Sequence, residues 1–186
     1  MRFNWPNSLT WLRILAIPLV VVLFYWPAGW SNPAAAWLFA LAGVTDWLDG
    51  YLARRLGQTS SFGAFLDPVA DKLIVAAALV LIVQSDPQPY LAVVAAIIIG
   101  REITVSALRE WMSQIGAHTR VAVSWFGKWK TAIQMIGIAM MLHQRPLLGV
   151  RVYEIGTILL YIAAVLTLWS MIDYLRAAWP AIKKSA

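Results

Sequence analysis

The chain predicts an all-α integral membrane protein, a single domain over residues 1–186 with six transmembrane helices and both termini cytoplasmic. Three observations carry that expectation. Hydrophobic residues make up 61% of the sequence and charged residues only 13%, with a mean hydropathy of +0.69, well outside the range of ordinary soluble domains. Apolar runs of bilayer-spanning length recur from end to end and leave no stretch for a separate soluble domain. Lysine and arginine collect at alternate junctions between those runs, as expected for a chain that threads back and forth across a membrane.

Taken in order, the first run covers about residues 8–27. It is preceded by one basic residue, Arg2, contains Pro18 and lacks a small-residue cleavage site, so it reads as a retained helix rather than a signal peptide. Pro27, Gly29 and Pro33 break the chain before a second run at about 33–55. The stretch from Gly57 to Gly63 separates it from a third at about 64–84, and Pro87 and Pro89 precede a fourth at about 88–112. Gly116 marks the next link; the fifth run spans about 124–143, and Pro146 with Gly149 leads into the sixth at about 150–176. No internal repeat or low-complexity segment is present.

With the N-terminus inside, the inner links and tails hold Arg2, Arg54, Arg55, Arg120, Lys183 and Lys184, with Arg13, Arg109, Lys128, Lys130 and Arg176 near the inner helix ends, while the outer links hold only Arg145 and Arg151. The net charge of +6 is therefore explained by topology and by contact with anionic membrane lipids, and no nucleic-acid partner is expected. Trp26, Trp30, Trp125, Trp169 and Trp179 fall near the expected interfaces and read as an aromatic belt. The absence of cysteine excludes disulfide and thiolate chemistry, and His118 and His143 lie too far apart to suggest a site.

Against this apolar background, four of the nine acids crowd into residues 46–71, at the facing ends of the second and third runs. Each ionised side chain within a span costs about 2.5–3.5 kcal/mol on insertion scales, so Asp46, Asp49, Asp67 and Asp71 require a cationic partner. Carboxylates without nearby histidine or cysteine suit a hard divalent ion such as Mg2+ or Mn2+. Asp46, Asp49 and Ala53 follow helical steps of three and four, and Asp67 and Asp71 are one turn apart, so two pairs face each other across a hairpin. Such a set can hold two cations about 3.5–4 Å apart, an arrangement that clamps a phosphoryl group for in-line displacement. Gly50, Ala53 and Gly63 are small enough for a ligand or a neighbouring helix to approach the backbone, and Arg54 follows as a bidentate phosphate donor.

The pattern Asp46-x2-Asp49-Gly50-x2-Ala53-Arg54-x8-Gly63-x3-Asp67-x3-Asp71 resembles, without departure, the signature of the CDP-alcohol phosphotransferases, membrane enzymes that join a CDP-linked lipid to an alcohol and release CMP. Similarity extends to Pro6-Asn7-Ser8-Leu9-Thr10-x2-Arg13, to Arg101-Glu102-x3-Ser106-x2-Arg109-Glu110 and to Gly127-Lys128-x-Lys130-Thr131-x2-Gln134-Met135. These outer segments look most like the bacterial phosphatidylglycerophosphate synthase branch, CDP-diacylglycerol:glycerol-3-phosphate 3-phosphatidyltransferases. The resemblance implies a homodimer of the bacterial inner membrane, with a cytoplasmic site that transfers the phosphatidyl group of CDP-diacylglycerol to glycerol 3-phosphate. It also implies roles: Asp46 and Asp67 bridging two metal ions, Asp49 completing the first, and Asp71 touching the second while acting as general base. Gly50, Ala53, Arg54, Thr59 and Ser60 would hold the CDP portion, with Thr10 contributing from the first helix.

An acceptor phosphate needs cations away from the carboxylates. Arg101 and Arg109 are two turns apart on the fourth helix, and Lys128 and Lys130 open the fifth from the same side, so these four are the candidate acceptor-phosphate ligands. For the lysines, lipid-headgroup snorkelling competes with this reading, and for Arg101 an ion pair with Glu102 does. The same chemistry with serine, inositol phosphate or phosphatidylglycerol as acceptor remains open. A cation-coupled transporter is the alternative of a different class, but matched broken helices or midplane acids, its usual marks, are missing.

Overall fold

In the computed structural model the backbone is described for residues 5–56, 61–115 and 125–185, and the side chains for residues 10–45, 66–115, 129–179 and 183. All named elements among the described residues are helices: α1 (Trp5–Tyr25), α2 (Ser31–Leu56), α3 (Ser61–Ser85), α4 (Pro89–Gln114), α5 (Trp125–His143) and α6 (Val152–Ser185). They follow the six apolar runs, and most ends fall within three residues of the expected positions. The exception is α6, which continues to Ser185, well past the end of its apolar run at about 176; α3, starting at Ser61, takes Gly63 out of the expected break. Hydropathy marks where a bilayer would end, whereas good helix formers such as Ala177 and Ala178 carry the backbone beyond it.

Each helix buries one stripe. Ala16, Val20 and Phe24 from α1, Ala35 and Phe39 from α2, and Ile74, Ala78 and Ile82 from α3 recur at four-residue steps, and all eight join one core cluster. Ile98, Ile138, Met141, Leu142 and Leu160 complete it from the other three helices. The opposite faces are equally apolar. Leu15, Val44, Val80, Ile103 and Val165 are each 60–65% exposed, which in water would make a continuous sticky surface and in a bilayer is the normal lipid-facing condition. Among the described residues, Pro89–Gln114 and Val152–Trp179 are long and apolar enough to cross a membrane, and Thr10–Tyr25 is a shorter apolar helix. Helices α3 and α5 interrupt their apolar sequence with Asp67, Asp71 and Lys72, and with Lys128 and Lys130.

Helix α1 packs on both α2 and α3, α2 and α6 flank α5, and α4 leans on α6 and α3. At the end of the bundle formed by the α1–α2, α3–α4 and α5–α6 links, polar clips join the helices: Tyr25 to Gln84 at 3.2 Å, and Tyr153 to Asp86 at 2.8 Å. The α5–α6 link turns tightly there, with Gln144, Leu148 and Gly149 all at positive φ. Helices α5 and α6 approach closely where Gly137 meets Gly156. A Cβ at Gly156 would lie 2.7 Å from the Gly137 carbonyl oxygen, and one at Gly137 would lie 3.0 Å from the Gly156 carbonyl oxygen. Because the obstructing atoms are backbone, only separation of the helices relieves the clash.

Gly156→Ala is therefore expected to destabilise the folded protein by about 1–3 kcal/mol, the usual cost of overpacking. Gly100→Ala, where an added Cβ meets nothing within 4 Å, is expected to be neutral or slightly stabilising. Thermal unfolding in detergent compares the two, and an unchanged Tm for Gly156→Ala refutes the close α5–α6 contact.

Candidate active site

Arg13, Ala42, Gly43, two aspartates of α3, four charged residues of α4 and the inner face of α5 surround a cavity of about 830 Å3, within the size range of small-molecule sites. Asp67 and Asp71 face it from α3 beside Lys72, and Arg101 and Arg109 face it from α4 beside Glu102 and Glu110.

The acidic wall is α3. Asp67 and Asp71 stand one turn apart and are both partly exposed on the cavity side. Pro68, next to Asp67, lacks a backbone N–H inside this helix. Helix α1 backs the pair: the Thr10 hydroxyl donates to Asp67 Oδ1, and Arg13 Nη1 donates to Asp71 Oδ1 at 2.7 Å. The three-residue spacing of Thr10 and Arg13 puts both on one face of α1. Arg13 is only 1% exposed, whereas the Asp71 side chain is 41% exposed, so the arginine is sealed behind a carboxylate that opens onto the cavity. A guanidinium is tolerated at such depth only when paired, and Asp71 supplies the opposite charge.

The opposite wall is α4, where two arginines and two glutamates line the cavity and Lys130 of α5 stands behind Glu102. Arg101 Nη1 lies 2.6 Å from Glu102 Oε1, and Lys130 Nζ lies 3.7 Å from the same oxygen, so one carboxylate links a cation on each helix. Arg101 also donates from Nη2 to Ser170 on α6 at 3.1 Å. Arg109, two turns further along α4, donates to the Tyr174 hydroxyl at 3.1 Å and lies 5.8 Å from the centre of that ring. Arg101, Glu102, Arg109 and Glu110 all line the cavity, whereas Lys130 is buried behind Glu102. On α5, Thr131, Gln134 and Met135 face the same space, a helical step of three and four residues.

Of the residues singled out from sequence, Thr10, Asp67, Asp71, Arg101 and Lys130 fall into these two charge clusters, and Arg109 lines the same cavity apart from either cluster. Asp46, Asp49, Gly50, Ala53 and Arg54 belong to α2, and Lys128 to α5, but their side chains lie outside the described residues. Thr59 and Ser60 lie outside them altogether. Within the described lining the potential metal donors are carboxylates, with no histidine or cysteine, and this chemistry fits a hard divalent cation. Three residues acquire importance only from the structure: Arg13, otherwise an inner-end cation in the Thr10-x2-Arg13 segment; Glu102, otherwise only a rival partner for Arg101; and Gln134. An arginine inside an apolar run signals by its cost that an acid must lie opposite, but not which acid.

The chain is similar to known proteins along nearly its whole length. The family described as CDP-alcohol phosphatidyltransferase matches residues 3–169. A Pseudomonas fluorescens protein named CDP-diacylglycerol–glycerol-3-phosphate 3-phosphatidyltransferase is 55% identical over 183 residues, covering 97% of this chain and 92% of its own. Proteins of the same name from Escherichia coli K12 and Shigella flexneri are 52% identical over 178 residues, covering 96% of both chains in each case.

Glu102 holds two cations in an apolar bundle, so Glu102→Gln is expected to lower stability by about 1.5–3 kcal/mol, the usual range for hydrogen bonds to charged groups. Adding Lys130→Met should recover part of the loss, because the double variant removes one of the cations left facing each other. A thermal-unfolding cycle reads this coupling; strict additivity overturns the linkage through Glu102.

Proposed function

The chain belongs to the CDP-alcohol phosphatidyltransferase family, and from that premise we propose that it transfers the phosphatidyl group of CDP-diacylglycerol to glycerol 3-phosphate, giving phosphatidylglycerophosphate and CMP. The observation that carries this reading is that one cavity is lined by Asp67 and Asp71 on α3 and, across it, by Arg101 and Arg109 on α4. Both substrates are anionic, and they make different demands. The pyrophosphate of the donor must approach carboxylates, which requires bound cations; the acceptor phosphate needs fixed positive side chains some distance away.

Asp46, Asp49, Asp67 and Asp71 would hold two Mg2+ or Mn2+ ions, whose charge would offset that of the pyrophosphate and of the departing CMP. Thr10 holds Asp67 by its hydroxyl, and Arg13 holds one oxygen of Asp71, so α1 orients both carboxylates against α3. Asp71 accepts the proton of the acceptor hydroxyl as that oxygen attacks the β-phosphorus, the one bearing the diacylglycerol. The Arg13 guanidinium keeps Asp71 oriented between turnovers. Arg101 and Arg109 bind the acceptor phosphate, with Lys130 behind Glu102 and Lys128 adding positive charge to the same wall. Gly50, Ala53, Arg54, Thr59 and Ser60 hold the CDP portion.

The exposed apolar faces of all six helices support six spans, and the alternation of Lys and Arg along the chain supports cytoplasmic termini and a cytoplasm-facing site in a bacterial inner membrane. On the same reading the enzyme works as a homodimer.

Purified protein supplied with CDP-diacylglycerol, Mg2+ and a panel of alcohols is expected to release CMP with glycerol 3-phosphate; release with serine alone would refute the acceptor. Asp67→Asn is expected to abolish turnover in a folded protein, and full activity of this variant in excess chelator would refute the metal site.

Asp71→Asn is expected to lower kcat by roughly 10²-fold or more while CDP-diacylglycerol still binds, as for loss of a positioned base. Arg101→Ala and Arg109→Ala should instead raise KM for glycerol 3-phosphate by about ten- to a hundredfold, with KM for the lipid little changed. Wild-type KM values for glycerol 3-phosphate in both arginine variants would move the phosphate pocket elsewhere.

A further inference from the structure

The cavity contains a buried carboxamide that the chemistry above does not use. Gln134 is 4% exposed, lines the cavity from α5, and its Oε1 is enclosed without a hydrogen-bond partner. A buried polar atom left unsatisfied costs free energy, and native proteins retain few of them without a use. Helix α5 packs against α3 and reaches α4 through the Lys130–Glu102 contact, and Gln134 lines the same cavity as Asp67 and Asp71 of α3 and Arg101 and Arg109 of α4.

We propose that Gln134 is a specificity-determining residue that hydrogen-bonds the middle hydroxyl of the acceptor, the one that neither reacts nor carries phosphate. The proposal rests on the acceptor assigned under Proposed function. A three-carbon acceptor with its phosphate on Arg101 and Arg109 and its reacting hydroxyl at Asp71 must carry its central carbon between the two walls. A neutral carboxamide suits a neutral hydroxyl there, since a further cation would compete for the phosphate and a further carboxylate would repel it. Rotation about the last side-chain bond exchanges the carboxamide oxygen and nitrogen, and an alcohol both donates and accepts, so either orientation makes the bond. An acceptor lacking that hydroxyl leaves the carboxamide buried and unpaired, which is the condition for strong discrimination.

The test compares glycerol 3-phosphate with 3-hydroxypropyl phosphate, which lacks only the middle hydroxyl, using full-length protein in mixed micelles with CDP-diacylglycerol and Mg2+ and following CMP release. The wild type is expected to favour glycerol 3-phosphate by about tenfold or more in kcat/KM. In Gln134→Met, of similar length but without hydrogen-bonding atoms, that ratio should fall towards one through loss on glycerol 3-phosphate alone. Gln134→Glu, which keeps an acceptor oxygen, should retain the preference even if both substrates are used more slowly. Because each ratio is measured within one preparation, partial misfolding of a variant does not alter it. Equal use of the two acceptors by the wild type overturns the proposal with no variant needed. An unchanged ratio in Gln134→Met, with both substrates slowed alike, overturns it in favour of a packing role. Absence of CMP release from the wild type with either phosphate acceptor overturns the acceptor assignment itself, and this proposal with it.

Discussion

Charge neutralisation inside an apolar bundle is the constraint on which the rest of this structure depends, and the Arg13–Asp71 pair is its clearest expression. Arg13 is almost fully enclosed and Asp71 is not, so one member of the pair is structural ballast and the other faces the cavity. Replacing such a pair by apolar residues is often neutral or even stabilising for a fold, so stability alone does not explain its presence. Its effect is positional: it anchors α1 to α3 beside the Thr10–Asp67 contact and aims two carboxylates into one space.

The opposite wall follows the same rule with the signs reversed. Arg101 and Lys130 come from different helices and would repel each other in a medium of low dielectric. Glu102 lies between them, and Ser170 and Tyr174 extend the support onto α6. Helix α6 is itself fixed against α5 by the backbone contact at Gly137 and Gly156, which leaves little freedom for the two to slide. The position of Arg101 and Arg109 therefore also depends on a packing contact whose glycines do not themselves line the cavity.

On the proposed reading, one cavity would accommodate two anions without confusing them. Each would be met by a different kind of positive charge: removable ions on the carboxylate side, and the guanidinium groups of Arg101 and Arg109 on the other. Neutral groups of α5, Thr131 and Gln134 among them, line the same cavity. Such a separation would let a general phosphoryl-transfer site distinguish an acceptor carrying its own phosphate.

Much of this was legible in the sequence because the controlling physics is local. Apolar run length and turn chemistry located six helices, and only the far end of α6 lay well outside the expected bounds, since hydropathy reports the bilayer rather than the helix terminus. Aspartate spacing placed Asp67 and Asp71 on one face of α3 for the same reason, helical periodicity. What tertiary structure alone decided is which side chains meet across helices. The sequence offered Arg13 as one inner-end cation among several, and the fold sets it against Asp71, a residue 58 positions away. Arg101, Arg109 and Lys130 formed one expected cluster, and the fold divides them, sending Arg109 to Tyr174 and burying Lys130 behind Glu102. Periodicity determines the face of a helix on which a residue lies; the rotation and depth of each helix against its neighbours, set by packing over the whole bundle, determine what that face touches.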